Sequence, residues 1–252
     1  MKVAVVTGAS SGLGTEFVKA IISGCKEIDE VWMIARRREN LDRIAADLGP
    51  RAMPFPLDLS ARDSDSKLHN RLSETGAEVS LLINNAGFGL LGDFDSLDNE
   101  RQCECIDLNC RALTSVTGTL LPFMRSGSKV INVCSIAAFA PNPRMAVYCS
   151  TKAYVLSFSR ALRFELRKKG INVLAVCPGP METEFLPAAG IGKGTSHTFD
   201  TLPRCDPAAV AAEALRTSQK NRGVCTPRGF YKLYRLLAKV LPHSLVMHFS
   251  KT

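Results

Sequence analysis

Tyr148 and Lys152 stand in the segment AVYCSTKAY with only Cys149, Ser150 and Thr151 between them. That spacing is about one helical turn, so on a helix the two side chains leave the same face roughly 5 to 6 Å apart. A phenol then sits beside an ammonium. A free phenol loses its proton near pH 10, too high for a base at neutral pH. A neighbouring cation favours the phenolate and is expected to bring that value down, so that the phenol trades a proton with a substrate oxygen. The plain alternative is a solvated surface pair, and what decides between them is whether the chain delivers the pair to a crevice.

The elements that would do so are legible. With 252 residues, 46% of them apolar and 22% charged, the chain has the size and composition of one globular domain over 1–252. Short apolar runs (VAVVTG, VWMIA, MPFPLD, VSLLINNAG, KVINVCS, INVLAVCPG) alternate with segments of helical period near 14–23, 39–48, 64–75, 99–124 and 146–168. Parallel strands need long crossovers, so this alternation predicts an α/β fold: a Rossmann-type doubly wound parallel sheet with helices on both faces and a C-terminal helical extension. Such sheets bind ligands beyond the carboxyl ends of their strands. Each run ends in small or polar residues there, including TGASSG, ARRR, NNAGFG, CSIAA and CPGPMET.

The first of these ends carries Gly8, Ser10, Ser11, Gly12, Leu13 and Gly14, leading into a helix. Glycines let backbone N–H groups approach a pyrophosphate, and a helix N-terminus adds a favourable partial charge. At the end of the second strand, where a carboxylate would select NAD, stand Ala35, Arg36, Arg37 and Arg38. Guanidinium groups suit a 2′-phosphate, which points to NADP (NADPH), although a basic turn opening a helix has the same composition. Asp58, followed by Leu59, is placed either for the adenine amino group or as a helix cap. Asn85, Ala86 and Gly87 bring backbone to the adenosine side.

TGASSGLG, NNAG, YCSTK and PGPMET, in that order and at those separations, resemble the short-chain dehydrogenase/reductase family over about residues 3–185, in its single-domain oxidoreductase branch. The resemblance implies Tyr148 as general acid when a ketone is reduced and general base when an alcohol is oxidised. It implies that Lys152 also orients the nicotinamide ribose, that Ser135 bonds the substrate oxygen and that Asn109 holds a water in a proton relay. Pro178 and Gly179 would turn the chain beneath the nicotinamide, and Thr183 would bond its carboxamide. The full set disfavours a module that only senses NADP and docks through a basic tail.

Beyond Thr183 the motifs stop. Residues 184–205 are rich in Gly, Thr and Pro and are expected to form a lid. Phe88, Leu90, Ile136, Phe139, Met181, Phe185 and Leu186 are candidates to face a largely apolar carbonyl or alcohol substrate, steroid-like or aliphatic, an aliphatic 3-oxoacyl group included. The ending resembles, faintly, the branch of hydroxysteroid dehydrogenases and long-chain 3-ketoacyl reductases. It lacks the last strand and Asp-Gly-Gly sequence with which many relatives build a tetramer, so dimer and tetramer both stay open. In the basic amphipathic extension 228–252, Phe230, Leu233, Tyr234, Leu236, Leu237, Val240 and Leu241 form a stripe opposite Lys232, Arg235 and Lys239. It suits the substrate mouth, a dimer contact or a membrane surface, in that order.

Charge and cysteines narrow the partners. The net charge of +8 falls entirely in residues 214–252, which hold eight Lys and Arg and no Asp or Glu. A solvated helix face explains this without nucleic acid. The nine cysteines form no Cys-x-x-Cys pair, so no metal site is expected, and several fall in apolar runs, as small buried hydrophobes of a cytoplasmic protein do. No signal peptide or membrane span is expected.

Overall fold

A computed structural model describes residues 1–249. Strand β1 (Lys2–Thr7) leads to helix α1 (Gly12–Gly24), β2 (Glu30–Ala35) to α2 (Arg38–Leu48), and β3 (Ala52–Pro56) to α3 (Ser64–Thr75). Then come β4 (Glu78–Asn84), α4 (Asn99–Ile106), a π-helical turn (Asp107–Ala112) and α5 (Leu113–Leu120). The second half holds β5 (Lys129–Val133), α6 (Ala146–Leu166), β6 (Asn172–Val176), α7 (Phe185–Ala188), α8 (His197–Thr201), α9 (Pro207–Gln219), β7 (Val224–Cys225), α10 (Gly229–Val240) and α11 (His243–Phe249).

The strands form a parallel sheet in the order β3-β2-β1-β4-β5-β6-β7. Chain order reverses between β1 and β4, and the crevice of a doubly wound sheet opens at that point. Pro54 and Pro56 cannot donate to a ladder, and they lie in β3, at the sheet's edge. Successive β1 residues serve opposite faces. Ala4 and Val6 pack with Phe17, Ile21 and Leu215 of α1 and α9, while Val3 and Val5 pack with Leu68, Val116 and Leu162 of α3, α5 and α6.

Buried polar groups tie the layers where the strands end. Asn84 Nδ2 donates to Thr117 Oγ1 and Asn132 Oδ1, each at 2.9 Å, and Asn132 Nδ2 donates to Ser159 Oγ at 2.9 Å. These bonds hold β4 and β5 to α5 and α6 next to the crevice, because an unpaired buried amide is costly.

One expectation needs correction. A last strand is present: β7 is only two residues long and pairs with β6, too short to register as an apolar run. The apolar stripe of α10, for which a substrate mouth, a dimer contact and a membrane surface were all open, is mostly exposed. Its buried residues are Tyr231 and Ala238, whereas Phe230, Leu233, Leu236, Leu237, Val240 and Leu241 are exposed.

Candidate active site

The turn after β1 is built by exclusion. Gly8 has φ +65°, a left-handed conformation, and a side chain there would reach Ala86 Cα at 2.8 Å. At Gly14 a Cβ would lie 2.1 Å from the Gly8 carbonyl oxygen, so α1 must begin without one. Asn85 Nδ2 donates to the carbonyls of Thr7 (3.0 Å) and Gly8 (3.1 Å), and Thr7 Oγ1 accepts from the N–H groups of Asn85 and Ala86 at 2.9 and 3.0 Å. Asn85 therefore pins the turn from the neighbouring strand. Ser11, at the N-terminus of α1, makes no side-chain cap. Gly12 and Leu13, which open that helix, line the crevice, and the first N–H groups of a helix have no partner within it, which suits a dinucleotide phosphate.

Arg36 and Arg37 line the crevice beside this turn, whereas exposed Arg38 pairs with Asp42 at 3.4 Å on α2. One guanidinium nitrogen of Arg37 donates to Ser10 Oγ (3.3 Å), Ser11 Oγ (3.1 Å) and Glu184 Oε2 (2.9 Å). A carboxylate from the segment after β6 thus bonds the same guanidinium that was singled out for a phosphate. Asp58 Oδ1 accepts from Ser60 N at 2.9 Å and also lines the crevice, with Leu59 buried beside it.

Tyr148 lies in the first turn of α6 and Lys152 one turn on; both are buried, and the Lys152 Nζ sits 5.8 Å from the centre of the Tyr148 ring. Ser135 ends the loop after β5 in extended backbone, accepts from Ala137 N at 3.1 Å and is hydrogen-bonded to the Tyr148 phenol. Lys152 donates to the Val133 carbonyl at 3.0 Å. The phenol's proton affinity departs from expectation. Burial pushes it up, the Ser135 hydrogen bond pulls it down by less, and the thiols of Cys134, Cys149 and Cys105 add to the rise. The anticipated depression by Lys152 does not figure among these influences; burial prevails because a phenolate in so dry a place loses its hydration. Burial also lowers the proton affinity of Lys152 itself.

Asn109 occupies the π-helical turn, where one widened turn re-aims a side chain. Its Nδ2 donates to the Phe88 carbonyl (2.9 Å) and Thr151 Oγ1 (3.0 Å), and its Oδ1 accepts from Phe88 N at 3.0 Å. A side chain on Gly87 would meet that oxygen at 2.6 Å. Asn109 thus clamps the loop after β4 to α6. Its side chain is engaged in positioning, and the water-holding role expected for it rests on the resemblance alone.

A cavity of about 860 Å³ joins these parts, running from Gly8 and Arg36 past Tyr148 to Phe199 and α10. Gly8, Ser10, Ser11, Gly12, Leu13, Asn85, Ala86, Gly87, Pro178, Gly179 and Thr183 all line it, as do Ser135, Tyr148 and Lys152. Gly14 and Asn109 support it from behind rather than line it. On the apolar side Phe88, Ile136, Met181, Phe185 and Leu186 line it as expected, but Leu90 and Phe139 do not; Phe139 packs instead on Tyr234, with ring centres 6.2 Å apart. Residues 184–205 cover the phenol: the Phe185 ring lies 5.7 Å from that of Tyr148, and Leu186, Ala189 and Ile191 pack in one buried cluster with Met145 and Tyr148.

Sequence reasoning missed Tyr231. Its fully buried ring fills the place of a Gly179 side chain, whose Cβ would lie 2.1 Å away, and its hydroxyl donates to the Pro203 carbonyl at 2.6 Å. Helix α10 is thereby fastened under the loop carrying Pro178 and Gly179. The contact joins residues far apart in the chain, so local spacing gave no signal. Among the described residues no cluster of His, Cys, Asp or Glu is arranged to hold a metal ion, and no helix is long and apolar enough to cross a membrane.

Known proteins resemble this chain in sequence and fold. Residues 2–199 match the family model for short chain dehydrogenases. Serine 3-dehydrogenase of Agrobacterium fabrum is 32% identical over 190 residues, covering 71% of this chain and 72% of that protein. Among solved structures, a short-chain dehydrogenase from Sphingobium yanoikuyae in complex with NADPH superposes with TM-score 0.79 at 26% identity, covering 96% of this chain and 97% of that one. The 3-ketoacyl-(acyl-carrier-protein) reductase of Brucella melitensis, complexed with NADH, gives 0.78 at 26% identity over 90% and 97%. Glycines that leave room for a dinucleotide at the switch point, in a chain matched over most of its length, make this protein a member of the short-chain dehydrogenase family, an oxidoreductase that works with a nicotinamide cofactor.

Proposed function

We propose that the protein transfers hydride between NADP(H) and a ketone or secondary alcohol of a largely apolar substrate, with Tyr148 exchanging the proton at the substrate oxygen. The observation that carries this is a buried phenol, bonded to Ser135, in a cavity whose one end is the glycine turn with Arg36 and Arg37 and whose other end is apolar. The cofactor, when bound, supplies or accepts the hydride.

The chain's own residues do the rest. The Ser135 hydroxyl and the Tyr148 phenol converge on one substrate oxygen, where two donors stabilise the charge that develops as the carbonyl is reduced. Tyr148 Oη then gives up its proton. Because burial raises the phenol's proton affinity, the protonated form needed for reduction prevails at neutral pH. In this reading Lys152, buried one turn away and bonded to the Val133 carbonyl, returns a proton and holds the ribose, while Asn109 fixes the loop after β4. Arg36 and Arg37 favour a 2′-phosphate, with Ser10 and Ser11 beside it. Leu186, Phe199, Leu202 and the α10 face leave a bulky apolar group room near the phenol, a steroid included. An aliphatic 3-oxoacyl substrate is the second reading, supported by the name of the Brucella neighbour.

The test is a panel of apolar ketones, steroidal and aliphatic, followed by the loss of NADPH or NADH absorbance. Turnover with NADPH in excess over NADH on at least one apolar ketone is expected. Tight NADPH binding with no turnover across the panel would support a sensing module instead.

A further inference from the structure

Helix α10 leaves one face uncovered. Phe230 (55% exposed), Leu233 (57%), Leu236 (58%) and Val240 (72%) follow one another along it, with Leu237, Leu241 and Leu245 continuing the patch. Single exposed apolar residues are ordinary, but a contiguous strip of this kind marks a contact surface. Beside it stand exposed Lys232 and Lys239, while Arg235 folds back over the Phe139 ring at 6.0 Å.

The charge around the strip says what covers it. No Asp or Glu occurs after Glu213, and eight Lys and Arg do. Two copies meeting face to face across a twofold axis would set Lys232 and Lys239 against each other, with no carboxylate from this segment to answer them. A surface that offers both apolar depth and negative charge answers both features. We propose that α10 docks the protein on the surface of a bilayer bearing anionic lipid headgroups, its leucine face sunk into the interface and its lysines reaching headgroups. The same helix frames the cavity: Phe230, Leu237 and Leu241 are both exposed and cavity-lining. Docking therefore turns the cavity mouth toward the lipid. Neither step depends on the chemistry proposed for Tyr148. Membrane contact, ranked last from the sequence, gains from an exposure that the sequence pattern did not reveal.

Co-sedimentation of the full chain with large vesicles tests this, using phosphatidylcholine alone or with about a third phosphatidylglycerol, at roughly 0.1 M salt. The wild-type protein is expected to pellet with the anionic vesicles and far less with the neutral ones. Lys232→Gln with Lys239→Gln should weaken that partitioning on the order of tenfold or more, and Leu233→Ser, Leu236→Ser and Val240→Ser together should do at least as much. None of these five residues lines the cavity, so NADPH binding should be unchanged and confirms that each variant is folded. Should the triple variant fail to fold, the lysine variant decides. Wild-type protein left in the supernatant with anionic vesicles, or equal binding by the variants, overturns the proposal. So does a dimer in sedimentation velocity that the leucine or lysine substitutions convert to monomer, since the face would then belong to a second copy.

Discussion

At the β1 end of the cavity most polar groups are answered by another part of the chain: Asn85 by Thr7 and Gly8, Asn109 by Phe88 and Thr151, Arg37 by Ser10, Ser11 and Glu184. At the α10 end the walls are apolar side chains that meet one another, the cavity and solvent. The first end is specified by hydrogen bonds and by places where a Cβ will not fit. Apart from Tyr231 against Gly179, the second is specified by size and apolar character. A site for an invariant cofactor tolerates little change, whereas a site for an apolar substrate is adjusted by swapping side chains of similar kind. Tyr148 stands at the junction.

Substitutions that respect or violate this contrast should separate widely. Gly14→Ala places a methyl on the Gly8 carbonyl and should lower Tm by about 5–10 °C and abolish cofactor binding. Gly24→Ala, at the last residue of the same helix with nothing within 4 Å, should be neutral or raise Tm by about 1–3 °C. Thermal melts with and without NADPH check both, and equal effects would deny that the β1 end is shaped by places where a Cβ will not fit.

The junction is probed by pH. With the phenol's proton affinity raised, reduction should stay flat through neutral pH and fall only in strong alkali, where the proton is lost. Alcohol oxidation needs the deprotonated form and should climb by about tenfold per pH unit from neutrality upward. Initial rates in both directions between about pH 6 and 10 read this out, and oxidation that is flat over that range would contradict it.

Smaller effects sharpen each end. Arg36→Ala with Arg37→Ala should weaken NADPH binding by roughly tenfold to a hundredfold and NADH by about threefold or less; equal losses would deny the phosphate its place. Leu237→Ala should raise KM for an apolar ketone by about three- to tenfold and leave cofactor affinity alone, as measured by steady-state kinetics and fluorescence titration. Smallest is Glu184→Gln. Its ion pair with Arg37 is exposed on both sides, so freeing the guanidinium should tighten NADPH only about two- to fivefold, with NADH unchanged.

How far the sequence could be read follows from the range of each interaction. The strand and helix alternation is local, and α3 falls at Ser64–Thr75, the bounds its periodicity predicts. The glycine turn was legible because a strand, three glycines and a helix stand in immediate succession. Tyr231 against Gly179 was not, because the fit exists only after β7 and α10 fold back under the sheet. Nor was the burial of Tyr148: helical spacing sets it near Lys152 but says nothing of the segment 184–205 that dries the site. The spacing does set Lys152 beside Tyr148, but it carries no sign of the burial that raises the phenol's proton affinity. The stripe of α10 was read correctly as apolar, but periodicity alone does not say which part of a stripe the neighbours will cover.

The most direct measurement compares the wild-type protein with Tyr148→Phe on a ketone that the wild type reduces, with NADPH affinity determined on the same samples. The account predicts turnover lower by on the order of a thousandfold and a Kd for NADPH within about twofold, because the phenol moves a proton and the glycine turn holds the cofactor. Turnover retained at wild-type level with an unchanged Kd would contradict it.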